Sequence, residues 1–268
     1  MTQIIAVANQ KGGVGKTTTS VNLASALAQS GCRVLVVDLD PQANATTALG
    51  SDKYALERHV YHALVGDIGA REAIVPTGVP GLDLLPAGTD LTGAEIELVS
   101  ALARETKLRQ ALGPIESSYD VILLDCPPSL GLLTVNALTA ADSVLVPLQC
   151  EYYALEGLSS LLRTIDLVRR SLNPRIRIHG ILLTMFDRRN RLALQVEAEA
   201  RSHFPDLVYG TRIPRNVRLS ESPSFGKPVL MYDSTCSGAL AYQALADEVL
   251  AKDRLGFVST PVLVQEVA

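Results

Sequence analysis

The sequence lacks any closely spaced pair of cysteines. Its four Cys stand at 32, 126, 150 and 236 with no CxxC motif. That excludes a tetracysteine metal site and a disulfide frame, and it points to a reducing, cytoplasmic setting with the thiols as small buried fillers. No apolar run reaches the roughly 18 residues of a membrane span. The opening stretch, MTQIIAVANQKGG, has neither the basic n-region nor the long apolar h-region of a secretory signal. Positive charge is not in excess: 24 Lys+Arg against 28 Asp+Glu leave a net of −4, so no whole-chain basic field marks a nucleic-acid binder. Internal repeats, low-complexity tracts and Pro/Gly-rich linkers are missing too. What remains is a chain of 268 residues, 47% hydrophobic and 19% charged, a mixture that builds a substantial core instead of staying disordered.

The small net charge conceals a strong asymmetry. Residues 1–162 carry 9 basic and 17 acidic side chains, and residues 228–268 carry 2 and 5. Between them, residues 163–227 carry 13 basic and 6 acidic, a net of +7, nearly all from arginine. A local patch of this kind can hold a polyanion even on an acidic protein.

Short apolar runs at 3–8, 33–37, 82–85, 121–124, 144–147 and 178–183 read as buried strands. Helical periodicity occupies 17–29, 94–112, 130–141, 155–172, 190–203 and 237–252. The alternation predicts one α/β domain, doubly wound, with a mostly parallel sheet covered by helices on both faces. The expected extent is 1–253, with 254–268 as a C-terminal tail in which Pro261 opposes a long helix.

The sharpest signal is Gln10-Lys11-Gly12-Gly13-Val14-Gly15-Lys16-Thr17-Thr18, between the first strand and the first helix, the context of a P-loop. Gly12, Gly13 and Gly15 let backbone N–H groups approach a phosphate, with Val14 among them, and the helix N-terminus adds oriented donors. Lys16 is placed to reach β- and γ-phosphates, Thr17 to give a hydroxyl to Mg²⁺ and Thr18 to meet the α-phosphate, so ATP and Mg²⁺ are the expected ligands. The strand VLVVD with the following LDPQ puts Asp38 and Asp40 on one face past a strand end, and VILLDCPP ends another strand in Asp125, the Walker B pattern. In a doubly wound sheet such ends line the ligand crevice. Asp38 and Asp40 can serve Mg²⁺ and its waters, and Asp125 is placed to hold Mg²⁺ through water.

Gln10 replaces the first glycine of the common motif and Lys11 precedes Gly12, so KGGVGKTT is a deviant Walker A loop. It resembles the ParA/MinD group of P-loop ATPases. DLDPQANAT (38–46), DCPPSLGLLTVNAL (125–138), GILLTMFDRR (180–189) and IPRNVRLSESPSFGKP (213–228) extend the likeness to the ParA/Soj branch over roughly 1–250. The resemblance implies an ATP-dependent homodimer in which Lys11 crosses to the partner's nucleotide, Asp40 positions or activates the attacking water and Asp38 belongs to the Mg²⁺ shell. It places Pro214 and Asn216 against adenine. Arg218 matches an arginine used for non-specific DNA binding, with Arg188, Arg189, Arg191, Arg215 and Lys227 as further candidates. It implies chromosome or plasmid partition, a nucleoid-associated location, and hydrolysis stimulated by a ParB-type centromere-binding protein. With no catalytic arginine to assign, basal hydrolysis is expected to be slow. The first strand begins near residue 3, leaving no room for an N-terminal helix-turn-helix domain.

Three other readings share the fold. A MinD-like, membrane-associated division-site ATPase needs a basic amphipathic C-terminal helix, and no basic residue follows Arg254. An iron–sulfur carrier or nitrogenase-iron-protein relative needs paired cysteines at a dimer face. A tyrosine kinase needs a Tyr-rich tail, and 254–268 contain no Tyr.

Overall fold

A computed structural model describes residues 2–151 and 154–254. Eight strands form one sheet: β1 (Gln3–Val7), β2 (Val34–Asp38), β3 (Val75–Pro76), β4 (Leu82–Leu85), β5 (Val121–Asp125), β6 (Ser143–Gln149), β7 (Arg177–Phe186) and β8 (Val208–Pro214), in the spatial order β3-β4-β2-β5-β1-β6-β7-β8. Every pairing is parallel except β3 with β4. The expected doubly wound α/β architecture is therefore present, with an antiparallel edge added.

The strands read as continuous apolar runs because both faces are covered. In β1, Ile4 and Ala6 point into one core, and Ile5 and Val7 into the other; β2 and β5 alternate in the same way. One face is packed by the helices Lys16–Gln29 and Ser237–Arg254, the latter contributing Tyr242, Leu245, Ala246 and Val249. Helices Val60–Val65, Leu91–Glu97, Lys107–Leu112, Leu132–Ala140, Ala154–Ser171 and Arg191–His203 cover the other.

Two expectations need correction. The helix expected over 94–112 is instead a series of short pieces, Leu91–Glu97, Leu98–Ser100, Arg104–Thr106 and Lys107–Leu112. Ala103 turns left-handed at φ 52. Asn136 supplies the hydrogen bonds that a continuous helix would have made: its Oδ1 accepts from Leu108 N at 3.1 Å, and its Nδ2 donates to Arg104 O at 2.8 Å. The edge strands β3 and β8 were not foreseen, since one is two residues ending in Pro76 and the other is interrupted by Gly210. No helix among the described residues is long and apolar enough to cross a membrane. The expected tail beyond 254, and with it any membrane-targeting helix, lies outside the described residues.

Candidate active site

The candidate nucleotide-site residues lie at the C-terminal ends of β1, β2, β5 and β8 or in the loops and first helical turns that follow them. The loop after β1 carries the glycine-rich segment; Gly13 and Gly15 take φ of 75° and 88°, which a side chain would strain. Gly15 leads into the helix Lys16–Gln29. Two tertiary bonds hold the loop. Thr184, near the end of β7, donates its hydroxyl to Val14 O at 2.8 Å. Asn9 donates to Pro147 O at 2.7 Å while accepting from Lys11 N at 3.0 Å. A Cβ built on Gly12 meets nothing within 4 Å, so this glycine is not required by packing within the chain.

Lys16 is buried, and its Nζ donates to Lys11 O at 3.2 Å. Burial pushes its pKa below the ordinary lysine value, while Asp125, Cys126 and Asp40 oppose that shift. Asp125 stands opposite Asp38 in the β5–β2 register, and both are fully buried. Asp125 Oδ1 accepts from Ser20 Oγ at 2.8 Å, and its Oδ2 has no hydrogen-bond partner. Burial, then the like charge of Asp38, raises the Asp125 carboxyl to about 8; burial raises Asp38 to about 6, against the donors that surround it. Asp38 uses both oxygens within the chain: Oδ1 accepts from Asp40 N at 3.1 Å, and Oδ2 from Thr46 N at 2.8 Å and Thr46 Oγ1 at 2.7 Å. It therefore anchors the loop that carries Asp40. Asp40 is 8% exposed, with Oδ1 accepting from Gln42 N at 2.9 Å. Thr17 and Thr18 open the helix, half-buried.

The Lys11 side chain is paired with an acid of its own chain. Its Nζ meets Glu151 Oε2 at 2.5 Å, with the two side chains 38% and 47% exposed. Glu151 also accepts from Gln149 at the end of β6. Sequence reading missed Glu151, Ser20, Thr46 and Thr184; Glu151, Ser20 and Thr184 act through contacts remote in sequence that no local pattern marks, whereas Thr46 reaches back to nearby Asp38.

Pro214 ends β8 opposite Phe186 of β7. Asn216 caps the helix Val217–Glu221 by accepting from Arg218 N at 2.8 Å and donates to Ser237 Oγ at 2.8 Å. Of the basic candidates, Arg188, Arg189 and Arg215 line one open cavity of about 900 Å³, together with Arg212 and Pro214. Arg189 reaches Asp187 at 2.9 Å yet remains 91% exposed. Arg191 begins the following helix and is exposed. Arg218 lies outside that cavity, 2.9 Å from Glu221 and 3.3 Å from Asp233, and Lys227 follows farther along the same segment. The arginines are thus partly gathered, and Arg218 is paired with two carboxylates.

The four cysteines are in the thiol form, with Cys126 and Cys150 buried and their thiols raised by burial.

Residues 2–178 match a family described as an AAA domain. The chain is 57% identical over 251 residues to the sporulation initiation inhibitor protein Soj of Bacillus subtilis, covering 94% of this chain and 99% of that one. It is 55% identical over 254 residues to the chromosome partitioning protein ParA of Caulobacter vibrioides, covering 94% and 95%. Among solved structures, one named cobyrinic acid a,c-diamide synthase from Mycobacterium smegmatis, with bound ADP and magnesium, superposes with a TM-score of 0.84 at 41% identity, covering 95% of this chain and 96% of that one. With a phosphate loop, strand-end carboxylates and near-full-length likeness of this degree, the chain belongs to the ParA/Soj family of P-loop chromosome-partitioning proteins.

Proposed function

We propose that this chain is an ATP-driven DNA-segregation ATPase that binds DNA as a nucleotide-joined pair. The observation that carries the catalytic part is the buried Asp125, whose Oδ2 makes no hydrogen bond, whose carboxyl feels the Thr17 hydroxyl and whose charge acts on buried Lys16. A buried carboxylate oxygen without a donor is costly unless a cation or water completes it. Among the described residues no three His, Cys, Asp or Glu make a metal cage. That suits Mg²⁺, which keeps waters and takes few protein ligands beside phosphate oxygens. Thr17 and Asp125 would hold it, with Asp38 supporting the shell. Bound there, Mg²⁺ offsets the charge of the β- and γ-phosphate oxygens.

The chain's own groups do the rest. Backbone N–H groups of 12–16 cradle the phosphates, and Lys16 leaves Lys11 O to reach them. Asp40 orients a water toward the γ-phosphorus; the new P–O bond forms as the bond to ADP breaks. Lys11 leaves Glu151 to contact the nucleotide of a second copy. Pro214 and Asn216 flank adenine. Hydrolysis is slow alone and is stimulated by a ParB-type partner.

Arg188, Arg189, Arg191, Arg215, Arg218 and Lys227 contact DNA phosphates, without base readout and with strong salt dependence. Joining two copies doubles the phosphates reached, so ATP switches DNA binding on and hydrolysis switches it off, and the protein resides on the nucleoid. Relatives at 55% and 56% identity carry chromosome-partitioning names; a solved MinD from Pyrococcus horikoshii is 27% identical. Co-sedimentation with random-sequence DNA and, in parallel, with anionic lipid vesicles tests the proposal under ATP, ADP and no nucleotide. DNA retention with ATP alone is expected. Retention on vesicles instead supports the MinD-like reading, and retention on neither overturns both.

A further inference from the structure

Three large aliphatic side chains face water within seven residues of one another. Ile96 is 76% exposed, Val99 58% and Leu102 91%. They do not sit on a loose tip: Leu91, Ala94 and Leu98 of the same segment are buried in the core, and Arg104 Nη1 donates to Val99 O at 2.8 Å. Ile96 and Val99, three residues apart where the helix Leu91–Glu97 runs on into the turn Leu98–Ser100, share a side. A cluster of exposed aliphatics on an anchored segment marks an interaction surface.

The rim of this surface is acidic. Residues 90–105 contain Asp90, Glu95, Glu97 and Glu105 against one base, Arg104, which is spent on Glu105 at 2.9 Å. His59, 3.7 Å from Asp90, is held toward its neutral form by burial. Lys107 lines a separate groove with Arg71 and Glu72. An acidic rim repels DNA and repels the same surface of a second copy. It complements a positively charged partner.

The surface is joined to the nucleotide side of the sheet by one side chain. Glu95 Oε1 rests close against Gly131, so that a Cβ there would displace the carboxylate. Gly131 is the N-cap of the helix Leu132–Ala140, where a carboxylate is favourably placed. The loop from Cys126 to Gly131 departs directly from Asp125. A partner seated on Ile96 presses one residue from Glu95.

We infer that Ile96, Val99 and Leu102, with Asp90 and Glu97 at their rim, form the docking surface for a basic amphipathic helix of a partner protein. Its apolar anchors cover the aliphatics, and its Lys and Arg flank them. Docking at this surface requires neither nucleotide nor DNA, so it stands apart from the reading of the arginines.

The test is fluorescence anisotropy with a labelled amphipathic Leu/Lys helix of about 18 residues, one apolar face and one cationic, beside a scrambled peptide of equal composition. The wild-type chain is expected to prefer the ordered peptide, more so at low salt. The variant I96S/V99S/L102S is expected to bind at least about tenfold more weakly. D90K/E97K should bind more weakly and with less salt dependence, and both variants should melt near wild type. Equal binding by wild type and I96S/V99S/L102S overturns the inference, as does a wild-type chain that binds neither peptide or does not distinguish them. Loss of ATP-dependent dimers in I96S/V99S/L102S also overturns it, by assigning the surface to a second copy.

Discussion

Lys11 and Glu151 form an ion pair at 2.5 Å across the gap between the loops that follow β1 and β6. The lysine expected to serve a second copy is therefore held within its own chain. Both side chains are more than a third exposed, so the pair is worth no more than about 1 kcal/mol. Glu151→Gln is expected to lower the ATP concentration at half-maximal dimerisation by up to about fivefold, the equivalent of that energy. Light scattering across an ATP titration checks this; an unshifted curve removes the pair from the switch.

Asp40 is set by the Gln42 N–H and by the loop that Asp38 anchors. Asp40→Ala is expected to bind ATP with little change and to hydrolyse it at least about tenfold more slowly, leaving dimers trapped on DNA. Nucleotide binding and phosphate release, measured on the same preparation, separate the two effects. Normal turnover excludes Asp40 from the reaction.

The raised carboxyl of Asp125 makes stability depend on pH in a definite direction. The folded chain keeps a proton to about pH 8 that the unfolded chain loses near pH 4. This contribution is complete below pH 4 and lost as pH rises through 8. Asp125→Asn imitates the protonated form at every pH. The nucleotide-free variant is expected to melt above wild type at pH 6 and by a clearly larger margin at pH 8. A difference in melting temperature that stays constant between these values contradicts the assignment.

Arg218 stands between Glu221 and Asp233, and its guanidinium lies 6.0 Å from the Tyr232 ring centroid. Arg218→Glu is expected to lose most DNA affinity while retaining ATP binding. Any residual slope of log affinity against log salt should fall by roughly 0.9 for each phosphate no longer neutralised. DNA isotherms at several salt concentrations give both quantities, and isotherms matching wild type exclude Arg218.

Much of this molecule was legible in its sequence because its information is local. Buried parallel strands are unbroken apolar runs, and six of the eight announced themselves that way. The P-loop and the aspartates at 38, 40 and 125 lie where a strand stops, a position set by short-range pattern. The remainder depends on contacts distant along the chain. Alanine is a strong helix former, so nothing at Ala103 foretells a left-handed turn; the break is sustained by Asn136, more than thirty positions away. Glu151 became visible only when β6 was laid beside β1. The arginines were countable in the sequence, but only the fold shows that Arg188, Arg189 and Arg215 share a cavity while Arg218 is bound to acids.

In the proposed function ATP joins two copies, and only the pair holds DNA firmly. Gly12→Val isolates this claim, because a side chain there meets nothing in its own chain and, in the proposed pair, would stand against the second copy. The decisive measurement is DNA affinity against salt, with ATP, for wild type and Gly12→Val. The wild-type slope is expected to be about twice that of the variant, as twice the phosphates are contacted. Equal slopes and equal affinities would contradict the claim.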